Sequence, residues 1–183
     1  MIDRAKIEKE LGVLPEGWIT LLEANVENAI ELNLVAVQYL VSKNYNGIIV
    51  SVSRPYMNLI SLYKKNNINI DNLFFIDCVS KSESSIQKSE KNVSFIDNIS
   101  DLTSILISIE EAIKVSGPKF IVFDSVNSML IHNKPEVFAR FVHSLLTKMR
   151  VRLISGFILS FEDETNKEVR AEIAQLCDKV IRV

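Results

Sequence analysis

Chemistry would be sought first in LLEANVENAIELNLVAVQYLV, residues 21–41, where a buried strand turns sharply into a long helix. The start of a helix exposes four unpaired N–H groups and a partial positive charge, so such a turn is a natural anion site. A phosphate-binding turn follows the pattern G-x-x-x-x-G-K-[ST]. Its glycines let backbone N–H groups approach the phosphates, its lysine reaches the β and γ oxygens, and its hydroxyl binds magnesium. Between Glu23 and Val41 this sequence has no Gly, Lys, Ser or Thr. It has Asn25, Glu27, Asn28 and Glu31 instead. Asn25 or Asn28 can cap the helix, and Asn28 with Glu31 has capping-box spacing. Glu27 and Glu31 place negative charge where the helix dipole favours it. The expectation is an anion site filled by the protein's own side chains.

Other groups that can do chemistry are scattered. His132 and His143 are the only histidines. His143 falls on the polar face of its helix, and His132 falls in a loop after a strand, at the end of the sheet where ligands bind in such folds. Neither has a second ligand at metal spacing. FEDETNKE (161–168) begins a helix, where acids are expected, so no metal site is assigned to it. Arg140, Lys148, Arg150 and Arg152 form a small basic group that reads as a solvated face. Cys78 and Cys177 are not spaced for a metal, and Cys177 reads as a buried thiol. No Ser–His–Asp or Cys–His order supports nucleophilic catalysis.

The elements that must position these groups are legible from the apolar runs. Strands are expected at 18–24, 47–53, 72–78, 93–97, 119–125, 152–160 and 179–183, mostly continuous Ile, Val and Phe rather than alternating. Continuous apolar strands suit a sheet covered on both faces. Helical periods fill 26–43, 54–66, 100–115, 135–149 and 164–177. On the first of these helices Glu27, Glu31, Gln38 and Ser42 share a polar stripe. Asn33 is the one amide on the apolar side, either satisfied in the core or held for a partner. Strand and helix in alternation imply a mostly parallel sheet with helices on both faces, a three-layer α/β/α sandwich. The segment 80–92, SKSESSIQKSEKN, is Ser-, Lys- and Glu-rich with one Ile and reads as an exposed flexible loop, the alternative being a lid or docking segment. The 183 residues, 48% hydrophobic and 24% charged, make one domain, 1–183, with a sizeable core. A formal net charge of −2 argues against a generic nucleic-acid binder. No apolar run reaches the roughly 18 residues of a membrane span, and the amino-terminal residues carry no signal-peptide core. The chain therefore reads as cytoplasmic and free of structural disulfides.

Four motifs in order carry a family resemblance. LPEGWITLLEA (14–24) resembles the lead-in to the phosphate loop in the KaiC- and RadA-like branch of the RecA superfamily. VQYLV (37–41) resembles the helix after that loop. KFIVFDSVNSML (119–130) resembles the Walker B strand, whose terminal Asp is followed by Ser. IAQLCDKVIRV (173–183) resembles the final core segment. Residues 99–114 and 132–150 are most like archaeal KaiC-like proteins. The resemblance implies a RecA-like P-loop NTPase core, with Asp124 at the magnesium-ligand position and Ser125 beside it.

The departures carry the functional expectation. With Ala24 in the first glycine position the degenerate loop reads Ala24, Asn25, Val26, Glu27, Asn28, Ala29, Ile30, Glu31; with the register set from Gln38 it reads VENAIELN. Neither register supplies the glycine, lysine or hydroxyl. A Glu a few ångströms from a triphosphate repels it by at least ~1 kcal/mol even in water. Ser53 and Arg54 stand where the family carries an acidic pair that activates water. The expectation is a catalytically dead pseudo-ATPase, a scaffold or regulatory subunit in a homo- or hetero-oligomer, with no cofactor and no metal. The alternatives are a nucleotide binder holding ATP and magnesium through Asp124, Ser125 and Arg54, and a DNA-recombination accessory protein.

Overall fold

The structure is a computed structural model that describes residues 2–80, 91–162 and 167–183. Its strands are β1 (Ile19–Asn25), β2 (Gly47–Ser51), β3 (Leu73–Asp77), β4 (Val93–Phe95), β5 (Phe120–Asp124), β6 (Ser155–Glu162) and β7 (Lys179–Arg182). They form a single sheet in the order β4-β3-β2-β5-β6-β1-β7, and every pairing is parallel. The helices are α1 (Arg4–Gly12), α2 (Ala29–Ser42), α3 (Tyr56–Lys65), α4 (Leu102–Ser116), α5 (Val126–His132), α6 (Pro135–Val151) and α7 (Lys167–Leu176). The expected α/β/α sandwich with a parallel sheet is what forms, and each of the seven expected strands is present. Of the expected loop at 80–92, residues 81–90 lie outside the described residues, as do 163–166 of the acidic cluster.

The continuous apolar strands are explained by two cores. Along β5, Phe120 and Val122 pack on one face while Ile121 and Phe123 pack on the other. α1, α2 and α3 cover the first face, and α4 to α7 cover the second. The period of two therefore fixes where the strand-end polar groups point. Asp77 lies two residues beyond Phe75, and Asp124 two beyond Val122. Both turn toward the layer of α2 and α3.

Two helices depart from expectation. α1 forms in the charged amino-terminal segment because Asp3 caps the Lys6 N–H at 3.0 Å and Ile7 and Leu11, one turn apart, are buried. It lies against α2 and covers the polar stripe expected there. Arg4 donates to Gln38, and the Ile2 N–H donates to Glu31 at 3.2 Å. α5 forms where a loop was expected. Ser125 is its N-cap, and Val126, Met129 and Leu130 bury one face. His132 is thus the last residue of a helix.

Asp77 holds the start of α3. Pro55, at the N-cap position, offers no side-chain cap. The Tyr56 N–H instead donates to Asp77 Oδ2 at 2.7 Å, while the N–H groups of Val79 and Ser80 donate to Oδ1 at 2.7 and 2.9 Å. Asp77 is fully buried, so its removal strands several donors away from water. Asp77→Ala is expected to cost roughly 3 kcal/mol, read as a lower urea midpoint at unchanged m-value. A loss below about 1 kcal/mol would show that the carboxylate is dispensable to the α3 junction.

Candidate functional site

The chain leaves β2 toward β3 and β4, then returns to β5 on the opposite side of β2 and continues outward to β6. Connections that diverge in this way open a crevice at the carboxyl ends of the two strands, the usual ligand position in an open α/β sheet. A cleft of about 300 Å³ lies there, lined by Val26, Ala29, Ile30, Asn33, Ser53, Arg54, Leu59, Leu62, Asp124 and Phe161. The sheet supplies its polar floor through Asp124 and Ser53. α2 and α3 supply apolar walls. Phe161 is fixed from the far side, where Asn127 accepts its N–H at 2.8 Å and donates to its carbonyl at 3.0 Å.

At the base of the cleft is a closed polar chain. Asn33 Nδ2 donates to Asp124 Oδ2 at 3.2 Å, and the Tyr63 hydroxyl donates to Asn33 Oδ1 at 3.0 Å. Asn33 is 4% exposed, Asp124 5% and Tyr63 fully buried. Burial raises the Tyr63 pKa strongly, with the Asp124 charge adding to it, so Tyr63 stays a neutral donor and sets which end of the amide faces Asp124. Asn33 is therefore a satisfied core amide, one of the two readings its place on the apolar face allowed. Burial also pushes the Asp124 pKa up to about 6, against the Arg54 charge and a hydrogen bond from Ser53, which hold it down.

The turn from β1 to α2 is not built as expected. A single 3-10 turn, Val26–Asn28, runs straight from the strand into the helix. Neither Asn25 nor Asn28 makes a side-chain cap bond, and Glu31 is held by the Ile2 N–H instead of closing a capping box. The capping expectation is thus corrected. Partnering by α1 draws Glu31 away, and the helical backbone of Asn28 (φ −96°, ψ −3°) does not adopt the extended form of a good cap. Of the two registers, the one set from Gln38 puts Asn33 at the Ser/Thr position, and Asn33 is the residue that meets Asp124. Leu32, at the lysine position of that register, is fully buried.

The remaining sequence candidates are dispersed. Ser125 is fully buried and is hydrogen-bonded within α5, so the site unites Asp124 and Arg54 but not Ser125. The Asp124–Ser125 peptide bond is cis. His132 and His143 are exposed and outside the cleft. In the basic group, Lys148 pairs with Glu110, Arg150 donates to the Leu176 carbonyl at 2.6 Å and reaches Asp178 at 3.3 Å, and Arg152 donates to the Lys148 carbonyl. Three of its four cations therefore have intramolecular partners. The Cys177 thiol is half-buried and donates to the Ile173 carbonyl at 3.2 Å. Sequence reasoning missed Asn33 as a site residue, although an amide on an apolar helix face was the available signal.

Asp124 has a pH signature. Its folded pKa lies above the ordinary carboxylate value of 3.8, so the folded state holds the proton more tightly. Stability from this group is full below about pH 4, falls as pH rises to about 6 and is level above that. Asp124→Asn keeps an acceptor for Asn33 and removes the buried charge. Relative to the parent it is expected to gain on the order of 2 kcal/mol at pH 7.5 and nothing at pH 4, measured by chemical denaturation across that range. A variant that loses stability relative to the parent as pH rises would contradict the assignment.

Residues 33–183 match the protein family described as ATPase: KaiC. No curated protein sequence matches the chain. The fold is similar to the crystal structure of a KaiC-like protein from the hyperthermophilic archaeon Pyrococcus horikoshii, with a TM-score of 0.69 and 15% identity, over 94% of this chain and 73% of that one. It is also similar to the flagellar accessory protein FlaH from Methanocaldococcus jannaschii, with a TM-score of 0.67 and 16% identity, over 100% of this chain and 78% of that one. Matched over most of its length, with the RecA-like sheet and Asp124 at the end of β5, this chain belongs to the KaiC ATPase family.

Proposed function

We propose that this protein is a KaiC-family member that has given up nucleotide hydrolysis and acts as a scaffold or regulatory subunit. The observation that carries the reading is the hydrogen bond from Asn33 to Asp124. In the family's pattern the Ser/Thr hydroxyl and this aspartate serve a magnesium ion. Here an amide group spans the two positions directly, and a second bond from Tyr63 locks it. The rest of the cleft agrees. A triphosphate needs convergent backbone donors and a lysine, whereas Val26, Ala29, Ile30, Leu62 and Phe161 line the walls. ATP and magnesium do not fit this donor set.

A domain that has lost the ligand can keep the surface around it. Val26 is 64% exposed and Ile30 42%, so the lip of the cleft offers apolar contact to a neighbouring copy or to a different subunit. Among the described residues no helix is long and apolar enough to cross a membrane.

The direct test is a melting curve with millimolar magnesium–ATP, together with an assay for phosphate release. A ligand selective for the folded state at 100 times its Kd adds about 2.7 kcal/mol. The expected result is a midpoint unchanged within about 1 °C and no turnover above buffer. A clear upward shift, abolished by Asp124→Asn or Arg54→Gln, would replace the scaffold reading with that of a nucleotide binder using a non-standard site. Oligomeric state by light scattering, with Val26→Asp and Ile30→Asp as the paired control, tests the apolar lip. A parent that is monomeric at all accessible concentrations would leave only a hetero-oligomer.

A further inference from the structure

Arg54 is a half-buried cation on the wall of the cleft. Among the described residues no carboxylate lies within ion-pair distance of its guanidinium. Asp124 feels its charge across the cleft but is hydrogen-bonded to Asn33 and Ser53 instead. An arginine offers five donors in a fixed fork suited to a carboxylate. The charges here are of both signs. Arg54 and the start of α2 are positive, while Asp124 at the base is held by Asn33 and the start of α3 is already taken up by Asp77. Among the described residues Arg54 is thus the one cationic side chain lining the cleft. The other walls of the cleft are aliphatic and aromatic: Ala29, Ile30, Leu59, Leu62 and Phe161. The volume of about 300 Å³ is at the small end of ligand sites.

We infer that the cleft binds a small monocarboxylic acid, its carboxylate on Arg54 and its apolar tail against Ile30, Leu62 and Phe161. The inference rests on the reading that the site no longer takes nucleotide. It gives the regulatory subunit a ligand opposite in character to a triphosphate, with one charge instead of four and mostly apolar surface. A triphosphate would press several charges against these walls. A monocarboxylate presents one charge to one arginine and removes the tail from water, which is the larger favourable term for a ligand of this kind. Asp124 stays out of the contact, because its Oδ2 is already occupied by Asn33.

The probe is 4-phenylbutyrate, compared with its neutral amide and with magnesium–ATP, by titration of backbone amide NMR signals on the full chain. The acid is expected to shift the signals of Ala29, Ile30, Arg54 and Leu62 saturably. The amide and the Arg54→Gln variant are expected to bind about ten-fold more weakly, the worth of one charge-assisted contact. Ile30→Glu, at a position exposed enough to accept the change, is expected to abolish binding by setting a carboxylate against the ligand. Because the Arg54 charge also favours ionised Asp124, Arg54→Gln is checked for a retained cooperative melt, so that a loss of binding is not a loss of fold. Equal binding of acid and amide, no effect of Arg54→Gln, signals moving only elsewhere, or no saturation by 10 mM (roughly the weakest affinity worth calling a site) would each overturn the inference. If neither acid nor ATP binds, the inference fails and the scaffold reading stands. If magnesium–ATP moves the same signals, both fail.

Discussion

The site depends on one buried carboxylate. Asp124 ends a central strand on a face that water does not reach, and a charge there is tolerated only with donors around it. Asn33 supplies one from α2, and Ser53 a second from the β2 end. This fixes α2 against the sheet at a point where the surrounding contacts are otherwise apolar and non-directional. Tyr63 then fixes Asn33 from α3. Three elements separated in sequence are thus locked by two hydrogen bonds, and each donor or acceptor is satisfied by the next. Breaking any link leaves a buried polar group alone, so the chain of three is more constraining than its two bonds suggest.

The same parity that places Asp124 also places Asp77. Both follow an apolar residue of the α2 and α3 face by two positions, and both meet that layer. They then diverge in role. Asp77 collects backbone N–H groups and closes the α3 junction. Asp124 meets side chains and borders a cleft. The difference lies in what the neighbouring chain offers. Pro55 leaves the start of α3 uncapped, so Asp77 is drawn into it. Ser125 caps α5 itself, so Asp124 is left free for the opposite face.

Much of the fold was legible in the sequence, because apolar strands and amphipathic helices of ordinary length leave periodic marks. The two helices that were missed are short or charged. α1 buries only Ile7 and Leu11 within its span, too few to show a period, and α5 has seven residues. The site was legible only in part. Asp124 and Arg54 could be named from the resemblance of their strand ends to the family's motifs, and Asn33 stood out as an amide on an apolar face. Its partner lies 91 residues away, and no local pattern reports that pairing. The capping box failed for the same reason. Asn28 and Glu31 have the right spacing, but the backbone N–H of Ile2, 29 residues away, competes for Glu31, and local spacing cannot see a tertiary rival.

The phosphate turn and its replacement can then be compared in physical terms. A nucleotide site keeps its helix start open, its donors unpaired and its metal ligand free, all of which are unfavourable until the ligand arrives. The turn seen here forgoes each of those costs. The strand passes through one 3-10 turn into the helix, the lysine position is buried as Leu32, and the aspartate is hydrogen-bonded by an amide. Among the described residues Arg54 has no carboxylate within ion-pair distance, and the walls around it are mostly apolar. On the scaffold reading proposed above, Val26, Ile30, Asn33 and Arg54 are better understood together than one by one. An amide that closes the metal position makes a phosphate-binding lysine useless, and apolar walls around a lone guanidinium remain useful only to a partner or ligand that brings its own carboxylate.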